Sequence, residues 1–224
     1  MRCLICVEEI VPKVGWGQFL LPQKKINLCE VCSARLARID LAGCPKCGRV
    51  DAEGVCYDCV RWEHSVQYAG CLEKNVSVYM YNEFAREVVA RWKYRGDFIL
   101  IEAFAGALQT TYHQHFRDVG ADVVAIPLSE QRFRERGFNQ SDAIIAQLGF
   151  DAVDFFKRKD SEKQSKRGRR ERMGADNPFV LVGEPRKPVL LVDDIYTTGM
   201  TVRHLASLLK MNGCPVVYSL TLFR

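Results

Sequence analysis

Eight of the ten cysteines lie before residue 60 and form four Cys-x-x-Cys pairs: Cys3/Cys6, Cys29/Cys32, Cys44/Cys47 and Cys56/Cys59. Two thiolates at this spacing aim at one point, and two such knuckles complete a tetrahedron around Zn²⁺. A disulfide framework needs an oxidising compartment, and redox Cys-x-x-Cys sites rarely come four at a time, so structural zinc is the expectation. Sequential pairing gives two successive four-thiolate sites. A cross-brace joins the first pair with the third and the second with the fourth; sequential pairing is favoured. Either way four thiolates leave no open coordination position, so the role is structural or recognitional.

The second chemical signal is the run Val189-Leu190-Leu191-Val192-Asp193-Asp194-Ile195-Tyr196-Thr197-Thr198-Gly199-Met200-Thr201. An apolar strand delivers two adjacent carboxylates at its carboxyl end, where open α/β sheets bind ligands. The turn that follows is rich in hydroxyls and holds a glycine, so its backbone N–H groups can close around an anion at the mouth of a helix. Carboxylates accept hydrogen bonds from sugar hydroxyls and the turn donates them to phosphate. Together they describe a cradle for a ribose 5-phosphate. The plainer alternative is a solvated Asp-Asp turn with Thr198 or Thr201 as helix cap.

Charge supplies a third signal. Between Lys157 and Arg172 nine basic residues face three acidic ones, a local excess larger than the +5 of the whole chain. Such a polar, cationic segment suits a polyanion. A second cluster, Arg132 to Phe138, interleaves arginines with Phe133 and Phe138, a combination that neutralises phosphates and stacks unpaired bases. Arg134, Arg136, Lys166, Arg167, Arg169, Arg170 and Arg172 are therefore candidate contacts to single-stranded DNA. The alternatives are a basic loop that closes over a pyrophosphate, with Lys163 and Lys166 stabilising charge on that leaving group, and phenylalanines that belong to the core. The four histidines show no metal or triad spacing, and Cys71 and Cys214 read as small buried residues.

The elements that must position these groups follow from periodicity. Strands are expected over Val76–Tyr81, Val123–Pro127, Val189–Val192 and Val216–Leu222. Helices are expected from Phe84 to near Gly96, over Ile99–Phe116, Asn139–Leu148 and Thr201–Met211. Alternating strands and helices predict an α/β domain with a doubly wound parallel sheet, occupying residues 64–224. Residues 1–63 form a zinc-binding module that is too short to bury a full core and should unfold without its metal. With 48% hydrophobic and 26% charged residues over 224 positions, gross disorder is excluded. No stretch reaches the roughly 18 apolar residues of a membrane span, and Met1-Arg2-Cys3-Leu4 opens no basic-then-apolar leader, so a cytoplasmic protein without membrane insertion is expected.

The chain resembles the phosphoribosyltransferase fold and, within it, the ComF (ComFC/GntX-like) competence proteins. The resemblance covers nearly the whole chain. It rests on the Cys-x-x-Cys pairs, Lys93-Tyr94-Arg95-Gly96, Pro127-Leu128, Arg134-Glu135-Arg136-Gly137-Phe138-Asn139-Gln140 and the run from Val189 to Thr201. It implies a type I phosphoribosyltransferase-like parallel sheet with helices on both faces. It also implies that Asp193 and Asp194 bind the ribose hydroxyls of phosphoribosyl pyrophosphate (PRPP), that Thr197, Thr198, Gly199, Met200 and Thr201 bind its 5-phosphate, and that Mg²⁺ bridges its pyrophosphate. Family members are associated with natural transformation, in which imported single-stranded DNA is handled together with a helicase-like ATPase. One departure stands out: Pro127-Leu128-Ser129-Glu130 replaces the small-basic-Gly-Gly turn that nucleobase-using members present to pyrophosphate. Three functions remain open at this point. They are a DNA handler that binds PRPP, a Mg²⁺-dependent phosphoribosyltransferase with an unidentified acceptor, and a scaffold that docks the ATPase and keeps a vestigial site.

Overall fold

The computed structural model describes residues 1–11, 26–158 and 177–224. In chain order come two short helices, α1 (Glu30–Arg35) and α2 (Tyr57–Glu63), strand β1 (Lys74–Tyr79) and helix α3 (Glu83–Tyr94). A 3₁₀ segment (Phe98–Ala103) leads into α4 (Ala105–His115), followed by β2 (Asp122–Ala125), α5 (Glu130–Arg136) and α6 (Gln140–Leu148). The chain continues through β3 (Phe156–Arg158), β4 (Phe179–Leu181), β5 (Val189–Ile195), α7 (Met200–Met211) and β6 (Val217–Phe223).

Four strands form one parallel sheet in the order β1-β6-β5-β2, and β3 pairs with β4 in a separate antiparallel hairpin. The protein is thus α/β, and both faces of its sheet are covered. Leu190 and Val192 point into a core with α3, α4 and α6, while Val189 and Leu191 point into a second core with α7. That two-sided burial is why β5 reads as an unbroken apolar run instead of an alternating one.

The cysteines take part in both cores. Cys3 and Cys32, with Ile5 and Leu36, pack into the first core beside Val78 and Phe104. Cys44, Cys47, Cys56 and Cys59, with Trp62, pack into the second beside Val124 and Leu191. A buried polar chain stitches the second set to the sheet: Asn75 Nδ2 donates to the Cys47 carbonyl (3.2 Å) and to Ser77 Oγ (2.8 Å), and Ser219 Oγ donates to Asn75 Oδ1 (2.8 Å).

Most expected elements are present with small shifts. β1 starts and ends two residues earlier than its apolar run suggested, because pairing with β6 from Lys74 to Tyr79 sets its limits. The single helix expected over Ile99–Phe116 is divided into the 3₁₀ segment and α4 at Phe104. Ile101 and Phe104, both fully buried, stand three residues apart, the spacing at which 3₁₀ side chains eclipse. Cys71 and Cys214 are buried, as expected. Among the described residues no helix is long and apolar enough to cross a membrane.

Candidate functional site

β5 runs to Ile195, so both acids belong to the strand itself, with Asp193 in register with Thr221 of β6. Asp194 is 8% exposed and its Oδ2 takes an ion pair from the Lys93 ammonium, carried on the last turn of α3. The Asp194 backbone N–H donates to Asp193 Oδ1 at 2.8 Å. Burial, then the neighbouring Asp194 charge, push the Asp193 pKa up from the ordinary carboxylate range to about 8, although that N–H bond and Lys93 pull the other way. A buried acid perturbed by a neighbouring carboxylate, as Asp193 is, is the kind of group that collects at binding and catalytic sites.

Beyond Ile195 the chain turns sharply into α7. Gly199 has φ +78°, and a Cβ there would stand 2.1 Å from Tyr196 Oη, so only glycine fits. The Thr198 hydroxyl accepts from the Met200 N–H at 3.4 Å, which is the capping contact of the plainer reading. The two carbonyls before the glycine are held by distant residues. Trp62 Nε1 donates to Thr198 O (3.0 Å) and Arg224 Nη1 to Thr197 O (3.5 Å).

Asp193, Asp194, Met200 and Thr201 line one cavity of about 390 Å³. Of the other expected phosphate-binding residues, Gly199 is buried, Thr198 is exposed, and Thr197 opens on a neighbouring groove. The cavity also receives Lys93 and three arginines, Arg132, Arg136 and Arg158. Ser129 caps α5, its Oγ accepting from the Arg132 N–H at 3.3 Å, and that short helix carries Arg132 and Arg136 into the cavity just after the Pro127-Leu128 turn. Arg136 donates to Gln140 Oε1 (2.7 Å), while its buried Nε has no partner among the described residues. Burial, then the charge of Arg132, lower the Arg158 pKa.

Arg134 instead pairs with Glu130 on the exposed side of α5. Phe133 is 52% exposed, whereas Phe138 is half-buried at the margin of the first core, packed against Phe98 (5.0 Å) and Trp92 (6.0 Å). Lys163, Lys166, Arg167, Arg169, Arg170 and Arg172 lie outside the described residues. Arg158 and Phe179, paired across the β3–β4 hairpin, both line the cavity.

The cysteines group sequentially, Cys3, Cys6, Cys29 and Cys32 in one set and Cys44, Cys47, Cys56 and Cys59 in the other, with all Sγ atoms of a set within 4.8 Å of one another. Zn–S bonds of ~2.3 Å set tetrahedral S···S edges of ~3.8 Å. The Cys6–Cys29 (3.6 Å), Cys47–Cys56 (3.5 Å) and Cys44–Cys59 (3.8 Å) separations fit that tetrahedron. Burial opposes ionisation of Cys3 and Cys44, yet backbone N–H groups bring each down to about 6. Burial and like-charged neighbours push Cys32 and Cys59 up. Four thiols converging at these separations form a donor set that fits a tetrahedral metal ion.

No family model matches the sequence. Two curated relatives match over nearly the full chain. Competence protein ComFC of Bacillus subtilis (strain 168) is 34% identical over 226 residues, covering 99% of this chain and 94% of its own. The chain belongs to the ComF family. Competence protein ComFC of Streptococcus pneumoniae is 31% identical over 228 residues, with all of both chains covered. DNA utilization protein YhgH of Escherichia coli O157:H7 is 28% identical over 206 residues, covering 85% of this chain and 87% of its own.

In this ComF-family chain the two acids, the turn, the eight cysteines and the Arg132–Arg136 cluster were legible as candidates in the sequence, whereas the ion pair from Lys93 to Asp194 and the approach of Arg158 to the same cavity were not. The sequence leaves Lys93 between packing the helix end and lining the cleft, and Arg158 shows only in a count of charges. The signal that could have found them is a basic residue at the end of a helix or strand that itself ends at the sheet's carboxyl edge.

Proposed function

We propose that this chain binds PRPP, or a related ribose phosphate, at the carboxyl end of β5 and serves the handling of single-stranded DNA in a competence-type uptake process. One observation carries the ligand half of this reading: the acid pair and the start of α7 share a cavity with three arginines. In that cavity Asp193 and Asp194 would accept hydrogen bonds from the ribose hydroxyls, and N–H groups of the Thr197–Thr201 turn would meet the 5-phosphate. The pyrophosphate would arrive as its Mg²⁺ complex and lie against Arg132, Arg136 and Arg158. Helix α5 would thereby supply the positive charge that the missing small-basic-Gly-Gly turn does not. The relatives' names, competence protein and DNA utilization protein, support the DNA half, as does the charge excess between Lys157 and Arg172. Zinc in the two cysteine sets, a division of the chain near residue 63, a cytoplasmic site of action and a helicase-like ATPase partner complete the proposal.

A second reading is favoured by a cavity of about 520 Å³ that adjoins the first through Pro127, Leu128 and Asn139. It offers room for an acceptor, and with one the chain would be a Mg²⁺-dependent phosphoribosyltransferase. Calorimetry with PRPP and Mg²⁺ tests the common core of both readings. Binding should weaken at least ~100-fold when Asp193 and Asp194 are both changed to Ala, since each buried carboxylate bond to a sugar hydroxyl contributes on the order of 1.5–3 kcal/mol. Equal affinity in the double variant would refute the site. Pyrophosphate release on adding an acceptor pool would mark turnover.

For the DNA half, oligonucleotide affinity should fall steeply with salt, and charge reversal at Arg167, Arg169 and Arg170 should flatten that slope by roughly one to three units. An unchanged slope removes the segment from DNA contact.

A further inference from the structure

The turn between β5 and α7 is held from behind by two residues that share an anchor. Trp62 lies one helical turn beyond Cys59 on α2, is 6% exposed, and donates its ring N–H to the Thr198 carbonyl at 3.0 Å. Its ring is wedged between the fully buried Arg203 guanidinium (5.2 Å) and the edge-on ring of Tyr68 (5.3 Å). Arg224 lies just past β6. One of its nitrogens donates to Cys47 Sγ at 2.9 Å, the other to the Thr197 carbonyl at 3.5 Å, and the group lies 5.1 Å from the Tyr196 ring. Two consecutive carbonyls of the anion-binding turn are thus bonded to side chains fixed by the second cysteine set.

In a trans peptide the C=O and N–H point in opposite directions. Drawing the Thr197 and Thr198 carbonyls toward Arg224 and Trp62 therefore turns the N–H groups of Thr198 and Gly199 the other way, free to donate. Groups that bond metal-binding thiolates from outside fix the orientation of the thiolates they touch, and the coupling runs both ways. Arg224 joins a thiolate sulfur directly to the turn, and Trp62 joins to it the helix that carries Cys59 and starts at its N-cap residue Cys56.

We infer that the second cysteine set, Cys44, Cys47, Cys56 and Cys59, holds the Thr197–Thr201 turn in its phosphate-accepting shape through Trp62 and Arg224, so that the metal state of this set governs affinity for the phosphate end of the ligand. This inference rests on the proposed ribose-phosphate site. Trp62 and Arg224 are positioning residues, since neither lines the cavity that holds the two acids. Loss of the metal, by chelation or thiol oxidation, releases α2 and the Cys47 sulfur together and frees both carbonyls to turn toward the ligand, where they repel it.

The test uses the full chain loaded with zinc and two probes, ribose 5-phosphate for the turn and inorganic pyrophosphate for the arginine side. Trp62→Phe keeps the packed ring and removes the donor; Arg224→Met keeps the aliphatic stem and removes the bridge. Each should weaken ribose 5-phosphate binding about 5-fold, the scale of one lost hydrogen bond, and the double variant about 20-fold. Pyrophosphate affinity should change less than about 2-fold, and zinc content should stay at two per chain. The Gly199 amide resonance should shift in both ligand-free variants, which a purely structural lesion elsewhere would not cause. Equal ribose 5-phosphate affinity in wild type and variants overturns the inference, as does equal weakening for both probes. If Trp62→Phe loses zinc or fails to fold, Arg224→Met decides alone. A wild type that binds neither probe refutes the underlying site instead, and the inference falls with it.

Discussion

Removing metal from the cysteine sets should unfold much more than the first sixty residues. Structural zinc contributes on the order of 10–16 kcal/mol of apparent binding energy, which matches or exceeds the ~5–15 kcal/mol net stability of a whole domain. The residues it would release are not peripheral. The second set shares its core with Val124, Leu191 and Leu205, and the Asn75 network ties the Cys47 carbonyl to the β1–β6 pair. A strong chelator should therefore lower the midpoint of a single thermal transition by more than about 10 °C, at roughly 2–4 °C per kcal/mol for a chain of this size. Cys59→Ser, at a position 1% exposed, should cost more than Cys6→Ser, whose thiol is exposed. Circular dichroism melts with metal content measured in parallel decide the matter. If β-sheet signal and midpoint survive chelation, the sheet stands without the cysteine sets and the shared cores contribute little.

The same packing explains which parts of the molecule were legible in the sequence. Paired cysteines and the Val189–Thr201 run are local: a few consecutive residues carry both the backbone preference and the chemistry, so spacing alone exposed them. β5 and α7 were readable because burial on both faces writes a continuous apolar strand and a 3.6-residue period writes a helix. β3 and β4, three residues each, are too short to show any period. The 3₁₀ segment was hidden inside a longer apolar stretch whose total length suited one helix. The contacts that shape the site were illegible for another reason. Lys93 reaches Asp194, Trp62 reaches Thr198 and Arg224 reaches Cys47 across separations that only the fold closes. Each of those residues has a common local explanation, a solvated helix end or a packed ring, and nothing in its neighbours contradicts it.

Lys93→Met should destabilise the protein by ~3 kcal/mol at pH 8.5 and by distinctly less at pH 5. The variant keeps the aliphatic stem and removes the cation that pairs with Asp194, and breaking a buried ion pair by deleting one partner costs ~3–5 kcal/mol because the other charge stays behind. The pH dependence follows from Asp193. Its folded pKa, about 8, lies above the ordinary value of 3.8, so between those limits the folded state holds a proton that the unfolded state has released. Stability from this group therefore falls as pH rises through that window. At pH 5 Asp193 is protonated with or without Lys93; deleting the lysine raises the Asp193 pKa further, so at pH 8.5 the folded variant must either keep a proton that the wild type has begun to release or carry two unrelieved carboxylates. Adding Asp194→Asn to the Lys93→Met background should recover most of the loss at pH 8.5, because the two changes act on one interaction and are not additive. Urea denaturation of the wild type, the Lys93→Met and Asp194→Asn single variants and the double variant at both pH values measures all of this. A loss that is equal at the two pH values, or that Asp194→Asn leaves untouched, would mean that Lys93 does not act by neutralising the acid pair. In the proposed binding mode the same charge balance would matter for affinity, since a ribose hydroxyl on Asp194 would share that carboxylate with Lys93.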